Sequence, residues 1–182
     1  VLKNWMVVPT SLPFVRRRCH ACGSERFRAS GKFRVNANHK LLDAWLLVLC
    51  NACEDTVKLT LLERVSVRSV RPELLDRLHA NDPGLTAELL QDPVVLHRNR
   101  IALDWDNAWR LDTGGSDHLD REVIDVSVRF AARIPVRPVR LIAEGCDLSR
   151  AEVERLIVEG KVVSAFRLTG KLSGDFTFRL KR

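Results

Sequence analysis

Two Cys-x-x-Cys pairs, Cys19/Cys22 and Cys50/Cys53, constrain this chain more than any other feature. Four thiolates in two tight pairs can close a tetrahedral site around one zinc ion, leaving no open position for a substrate. Such a site is structural, so the expected zinc builds a platform and the function lies on the surface it presents. Gly23 directly after Cys22 suits a knuckle, where the chain turns sharply and amide N–H groups point at sulfur. The 27 residues between Cys22 and Cys50 exceed the usual ribbon spacing of roughly 15–20, and a long hairpin fills them. Redox pairing is the alternative, but that motif sits in a βαβ unit and the flanks here are strand-like. His20 lies inside the first knuckle as a surface residue beside a complete thiolate shell. Cys146 stands alone and reads as a buried thiol.

Local patterns place these cysteines. Val57, Leu59 and Leu61 alternate with Thr56, Lys58 and Thr60, the period of a strand. With the strand formers of 32–35 and 41–49, they predict a three-stranded ribbon with a knuckle at two strand ends. Pro72, Asp82-Pro83 and Asp92-Pro93 each open a short helical pattern. Ile101 to Trp105 reads as a strand, and Thr113-Gly114-Gly115-Ser116-Asp117 as a loop or linker. Further on, 124–130 alternates as a half-buried strand, and Pro138 to Glu144 reads as a helix ended by Gly145. Ser149-x-x-Glu152 is a capping box opening another helix. Strands are expected at 161–163 and 176–180.

Net charge is +7, unevenly spread. Residues 1–53 carry 9 basic and 2 acidic side chains, 54–135 carry 11 and 15, and 136–182 carry 10 and 6. Basic ends attract polyanions without specifying which. Arg16, Arg17 and Arg18 run into Cys19, and Arg26, Arg28, Lys32 and Arg34 follow, interleaved with Phe14, Phe27 and Phe33. Arginine beside aromatics contacts phosphate and stacks bases; equally, the phenylalanines suit the core of a small ribbon. No phosphate-binding glycine loop, nucleophile elbow or histidine metal motif occurs in the chain, which argues for a non-enzymatic protein. The carboxylates of Asp104-Trp105-Asp106 and of Asp117-His118-x-Asp120 fit solvated turns. The longest apolar run, Ala44 to Cys50, is far short of the roughly 18 residues a membrane span needs. Val1-Leu2-Lys3-Asn4-Trp5 has no signal-peptide pattern, and five cysteines grouped in pairs suit a reducing cytoplasm.

Two resemblances add to this. Cys19-x-x-Cys22-Gly23, Phe33-Arg34-Val35-Asn36-Ala37-Asn38, Leu41-Leu42-Asp43-x-Trp45-Leu46 and Cys50-x-x-Cys53 resemble a bacterial family catalogued as domain of unknown function 1062. That likeness runs through most of the chain and implies zinc and a cytoplasmic protein, with no activity attached. Arg140-Leu141, Leu148-Ser149-Arg150, Leu156-Ile157, Gly160-x-Val162 and Gly174-Asp175 are similar to the alpha-L RNA-binding domain of the small-subunit ribosomal protein S-four. The resemblance implies two short helices and a small sheet presenting basic side chains to structured RNA. Arg137, Arg140, Arg150, Arg155, Lys161 and Lys171 would carry that contact. The Val-Asn-Gly hairpin of that domain is missing after Gly160, and Glu152, Glu154 and Glu159 dilute the charge.

The expected architecture is α+β: a zinc ribbon over 1–66, an acidic helical connector over 67–113, and an alpha-L-like α/β module over 121–182. The leading function is RNA binding, with Arg16, Arg17 and Arg18 at one end and the C-terminal cations at the other. The other reading is a zinc-stabilised protein-interaction adaptor, with acidic middle and basic ends paired internally. In both readings the zinc keeps a short, basic ribbon folded, since metal binding is worth about 10–16 kcal/mol in small zinc peptides.

Overall fold

The structure, a computed structural model, describes residues 2–115 and 122–181. In chain order it contains β1 (Leu2–Pro9), β2 (Phe14–Arg16), β3 (Arg26–Asn38), β4 (Leu41–Cys50), β5 (Thr56–Ser66), α1 (Pro72–His79), α2 (Pro83–Leu90), α3 (Pro93–Asn99), β6 (Ala102–Asp104), β7 (Trp109–Asp112), β8 (Val123–Phe130), α4 (Pro138–Cys146), α5 (Arg150–Val158), β9 (Val162–Val163) and β10 (Phe176–Lys181). The fold is α+β. It divides into two compact units, one of Leu12–Asp104 and one of residues 1–11 with 105–182. This corrects the three-part division into 1–66, 67–113 and 121–182.

The cysteine-bearing unit holds an antiparallel sheet in the order β5-β4-β3-β2-β6. In β4, Leu42, Ala44, Leu46, Val48 and Cys50 are buried while the residues between them are half-buried, so one face carries the core. Leu78 of α1, Leu85 and Leu90 of α2 and Val95 of α3 join Leu46, Leu59 and Phe27 in that core. The helices are therefore no connector. Each has an apolar stripe too short to make a core alone, and each buries it on the sheet.

Their starts follow the sequence. Asp82 accepts the Gly84 N–H at 2.9 Å and Asp92 the Val94 N–H at 2.8 Å, each with proline at the first helical position. Arg77 ties the first two helices by bonding Asp82 and, at 2.8 and 3.0 Å, Glu88. Asn99 at the end of α3 accepts the Thr60 N–H at 2.7 Å and donates to the Thr60 carbonyl at 2.9 Å. Its amide meets the outer edge of β5 as another strand would, which blunts that edge.

The other unit is a sheet in the order β7-β1-β8-β10-β9, with β1 and β8 parallel and the remaining pairs antiparallel. Trp5, Val7, Ile124, Val126, Val128, Phe176, Phe178 and Leu180 are buried, with Leu141, Ile142 and Val153 from the helices. The capping box of α5 is formed: Ser149 Oγ accepts the Glu152 N–H at 3.2 Å and Glu152 accepts the Ser149 N–H at 2.8 Å. Gly145 does not end α4, as its type suggests. The helix runs to Cys146 and Asp147 caps it at φ 55°. Gly145 is glycine because a Cβ there would stand 2.3 Å from the Trp5 ring.

Candidate metal centre

The cysteines meet because of strand order. The turns β2–β3 and β4–β5 leave the sheet at the same end, and β3 and β4 are neighbours with Phe27 opposite Cys50. Each turn has the same internal bonding. The Cys19 N–H donates to the Ser24 carbonyl at 2.7 Å and the Gly23 N–H to the Cys19 carbonyl at 3.0 Å. In the second turn the Cys50 N–H donates to Asp55 at 2.8 Å and the Glu54 N–H to Cys50 at 3.0 Å. Gly23 and Glu54, one residue past each second cysteine, both take left-handed backbone, at φ 76° and 64°. The chain thus builds one knuckle twice, and the asymmetry is that only the first has glycine where the backbone asks for it.

All four sulfurs lie within 4.8 Å of one another. Cys19 and Cys53 Sγ are 3.7 Å apart, Cys22 and Cys50 Sγ 3.6 Å. A disulfide needs about 2.05 Å. Four sulfurs about 2.3 Å from one central ion stand about 3.8 Å apart in a tetrahedron, which these separations match. The residues therefore fit a thiolate-bound metal ion. Cys19 and Cys50 are buried in the core cluster, while Cys22 and Cys53 are exposed. Backbone N–H groups already favour thiolate: the Cys53 amide, then that of Ala52, hold Cys50 down to about 6 against its burial. At Cys53 the Asp55 amide works the same way, but local desolvation beside the other sulfurs and the three neighbouring thiols outweigh it and push that thiol up to about 12. A cation among the sulfurs removes this conflict, since it lets all four ionise.

His20 is exposed and outside the cluster, and Cys146 is buried in the other unit. Asp104 pairs with Arg26 at 3.1 Å, and His79 and His97 are exposed on helices. Asp117, His118 and Asp120 lie outside the described residues, as does the second half of the expected linker.

The cationic residues are spread over both units. Arg16 and Arg18 are exposed and Arg17 is half-buried beside the first knuckle. Arg137, Arg150 and Lys171 are exposed, and the Arg140 guanidinium lies over the Trp109 ring at 4.8 Å. Arg155 and Lys161 both reach Glu159, at 3.7 and 3.0 Å. Phe27 is wholly buried, Phe33 packs against the core, and Phe14 is half-buried with Arg26 over its ring at 5.7 Å. Composition around the cysteines did not single out Trp45 and Lys58, which lie 4.9 Å apart on neighbouring strands. Strand alternation at 56–61 puts Lys58 opposite the core, but pairing of β5 with β4 had to be seen to set it beside Trp45.

Among the described residues no helix is long and apolar enough to cross a membrane. No curated protein and no solved structure matches the chain. Residues 35–167 match the family described as "Protein of unknown function (DUF1062)", a stretch that takes in Cys50 and Cys53 and begins after Cys19 and Cys22. Since that match spans well over half of the 182 residues, the chain belongs to the DUF1062 family.

Proposed function

We propose that this chain is a non-enzymatic, zinc-stabilised RNA-binding protein of a reducing compartment such as the cytoplasm. Zinc is favoured for the thiolate cluster because it accepts tetrahedral sulfur ligation and brings no redox chemistry of its own. The two knuckles on β2–β5 are then a zinc ribbon extended by β6.

The observation that carries the RNA reading is the order of elements after residue 135. An isolated bridge Val136–Leu172 precedes α4, the capped helix α5 follows, and β9 pairs antiparallel with β10. Two short helices leading into a small sheet are what the alpha-L resemblance implies, and Arg137 and Arg150 stand exposed at the starts of the two helices. Glu159 pairs with both Arg155 and Lys161, so the contact falls mainly to Arg137, Arg140, Arg150 and Lys171. Retention of a folded RNA hairpin by the zinc-loaded protein tests this. Affinity must fall steeply with salt, and R137Q/R150Q must weaken it without loss of folded structure. A protein that retains no hairpin at low salt rejects the reading. One zinc per chain, lost in Cys50→Ser, tests the metal.

The adaptor reading has one observation in its favour. Arg26–Asp104, Arg28–Glu54 and Arg179–Asp125 join the basic ends of the chain to its acidic middle within each unit. Stoichiometric capture of one protein partner by a chain that ignores RNA would select it.

A further inference from the structure

We infer that the face of the β5-β4-β3-β2-β6 sheet turned away from its helices is a platform for single-stranded nucleic acid. This inference stands independently of the C-terminal reading, because it rests on different residues in the other unit. Register defines the face. Phe27 and Val15 are buried partners on the core side, so Arg26, Arg28 and Arg16 point the other way. In β4 the residues opposite the core are Asp43, Trp45, Leu47 and Leu49. Trp45 is paired with Arg34 on β3 and Thr60 on β5, Leu47 with Lys58, and Leu49 with Arg28 and Thr56.

This face therefore has an apolar, aromatic middle flanked by cations. Lys58 Nζ sits 4.9 Å above the Trp45 ring, and Arg34 is directly opposite Trp45 on the other side. Neither Arg34 nor Lys58 has a carboxylate within ion-pair distance among the described residues. The cations of this face are Arg16, Arg26, Arg28, Arg34 and Lys58. Of its carboxylates, Glu54 and Asp104 are held by Arg28 at 2.8 Å and Arg26 at 3.1 Å. Asp43 accepts the Arg64 N–H at 2.8 Å, and Glu63, which follows core-side Leu62 on β5, is exposed at the far end of that strand. The chemistry this selects is a flexible polyanion whose units each carry a phosphate and a flat ring. Phosphates meet Arg34, Lys58 and Arg16, and a base stacks at Trp45, which is sequence-tolerant because every base has a π-face. A duplex keeps its bases stacked inside and cannot use such a ring.

The test uses the full zinc-loaded chain and a labelled oligouridylate of about twelve nucleotides, which has no secondary structure, followed by anisotropy. The unsubstituted protein should bind it, and Trp45→Ala should weaken binding about 5- to 100-fold. R34Q/K58Q, both exposed and removed from the core, should lower the slope of log affinity against log salt by about 1.4, for two phosphates on a single strand. Absence of oligouridylate binding at low salt overturns the inference even if the hairpin still binds. So does an unchanged affinity and salt slope in R34Q/K58Q. A dimer in sedimentation that Trp45→Ala dissociates would show that a second copy covers this face, and would also overturn it.

Discussion

Alanine at Gly23 and glycine at Glu54 perturb the same position of two equivalent knuckles in opposite directions. Both residues sit in left-handed backbone, at φ 76° and 64°. A Cβ at Gly23 would meet no atom within 4 Å, so Gly23→Ala has no steric term and reports the backbone alone. Left-handed conformation costs a residue with a Cβ about 1–2 kcal/mol. Closure of the turn around a bound ion would impose that strain, so it should appear in metal affinity, where about 1.4 kcal/mol is tenfold. Gly23→Ala should therefore weaken zinc binding about 5- to 30-fold. Glu54→Gly releases the same strain but gives up the pair with Arg28, whose partner oxygen is largely exposed and worth at most about 1 kcal/mol. Its affinity should be unchanged or up to about 30-fold tighter. Competition with a chromogenic chelator at fixed pH measures both. Equal affinities for Gly23→Ala and the unsubstituted protein, or an Glu54→Gly protein weaker than either, would refute the equivalence of the knuckles.

Two further predictions concern packing and charge. Gly145→Ala should destabilise its unit by roughly 1–3 kcal/mol despite alanine's better helix propensity, because Trp5 is buried edge-on against Phe178 and has no room to yield; urea unfolding read by hydrogen exchange in β1 and β8 checks this, with Gly174→Ala, whose Cβ meets nothing within 4 Å, as the neutral control. Hydrogen bonds from Arg77 hold the Asp82 and Glu88 carboxyls below their ordinary values, so this contribution is fully present above about pH 5 and is lost as acid protonates them below their unfolded pKa values; in Arg77→Gln their titration, followed by carboxyl NMR, should move up.

What was legible in the sequence was local chemistry. Asp82-Pro83, Asp92-Pro93 and Ser149-x-x-Glu152 each specify a helix start within four residues, and all three form caps. The cysteine spacing specified the cluster because each pair is one turn. Partners distant in sequence were not legible. β1 falls within the ribbon expected over 1–66, yet it lies inside the other unit's sheet, parallel to β8 more than a hundred residues later. Nothing in residues 2–9 encodes that partner; only the burial of Trp5 and Val7 does, and burial requires the fold. Gly145 failed for the same reason. A glycine in a helical pattern reads as a stop, and the tryptophan that demands it lies far upstream.

The wider unit also changes what the metal has to do. In a ribbon of some sixty residues the ion would be needed for folding, as in zinc fingers that unfold without it. Here the strands that carry the cysteines share a core with three helices, and Phe27, Leu46, Leu59, Leu78 and Leu90 are all fully buried. Each such side chain contributes about 1.5–3 kcal/mol on burial. The cysteines sit at one end of that core, with Cys19 and Cys50 at its edge and Cys22 and Cys53 in solvent. Chelation under reducing conditions should therefore release the turns and leave the sheet. Amides of Cys19, Gly23, Cys50 and Glu54, which close the knuckles, should lose protection from hydrogen exchange. Amides of Leu46 and Val48 in the middle of β4 should keep theirs. Cooperative unfolding of the whole unit on chelation would show the reverse, that the apolar core is insufficient and the ion is the keystone after all. If the sheet persists, oligouridylate binding at Trp45 and Lys58 should survive metal removal in weakened form, because those residues lie in the strands and not in the turns.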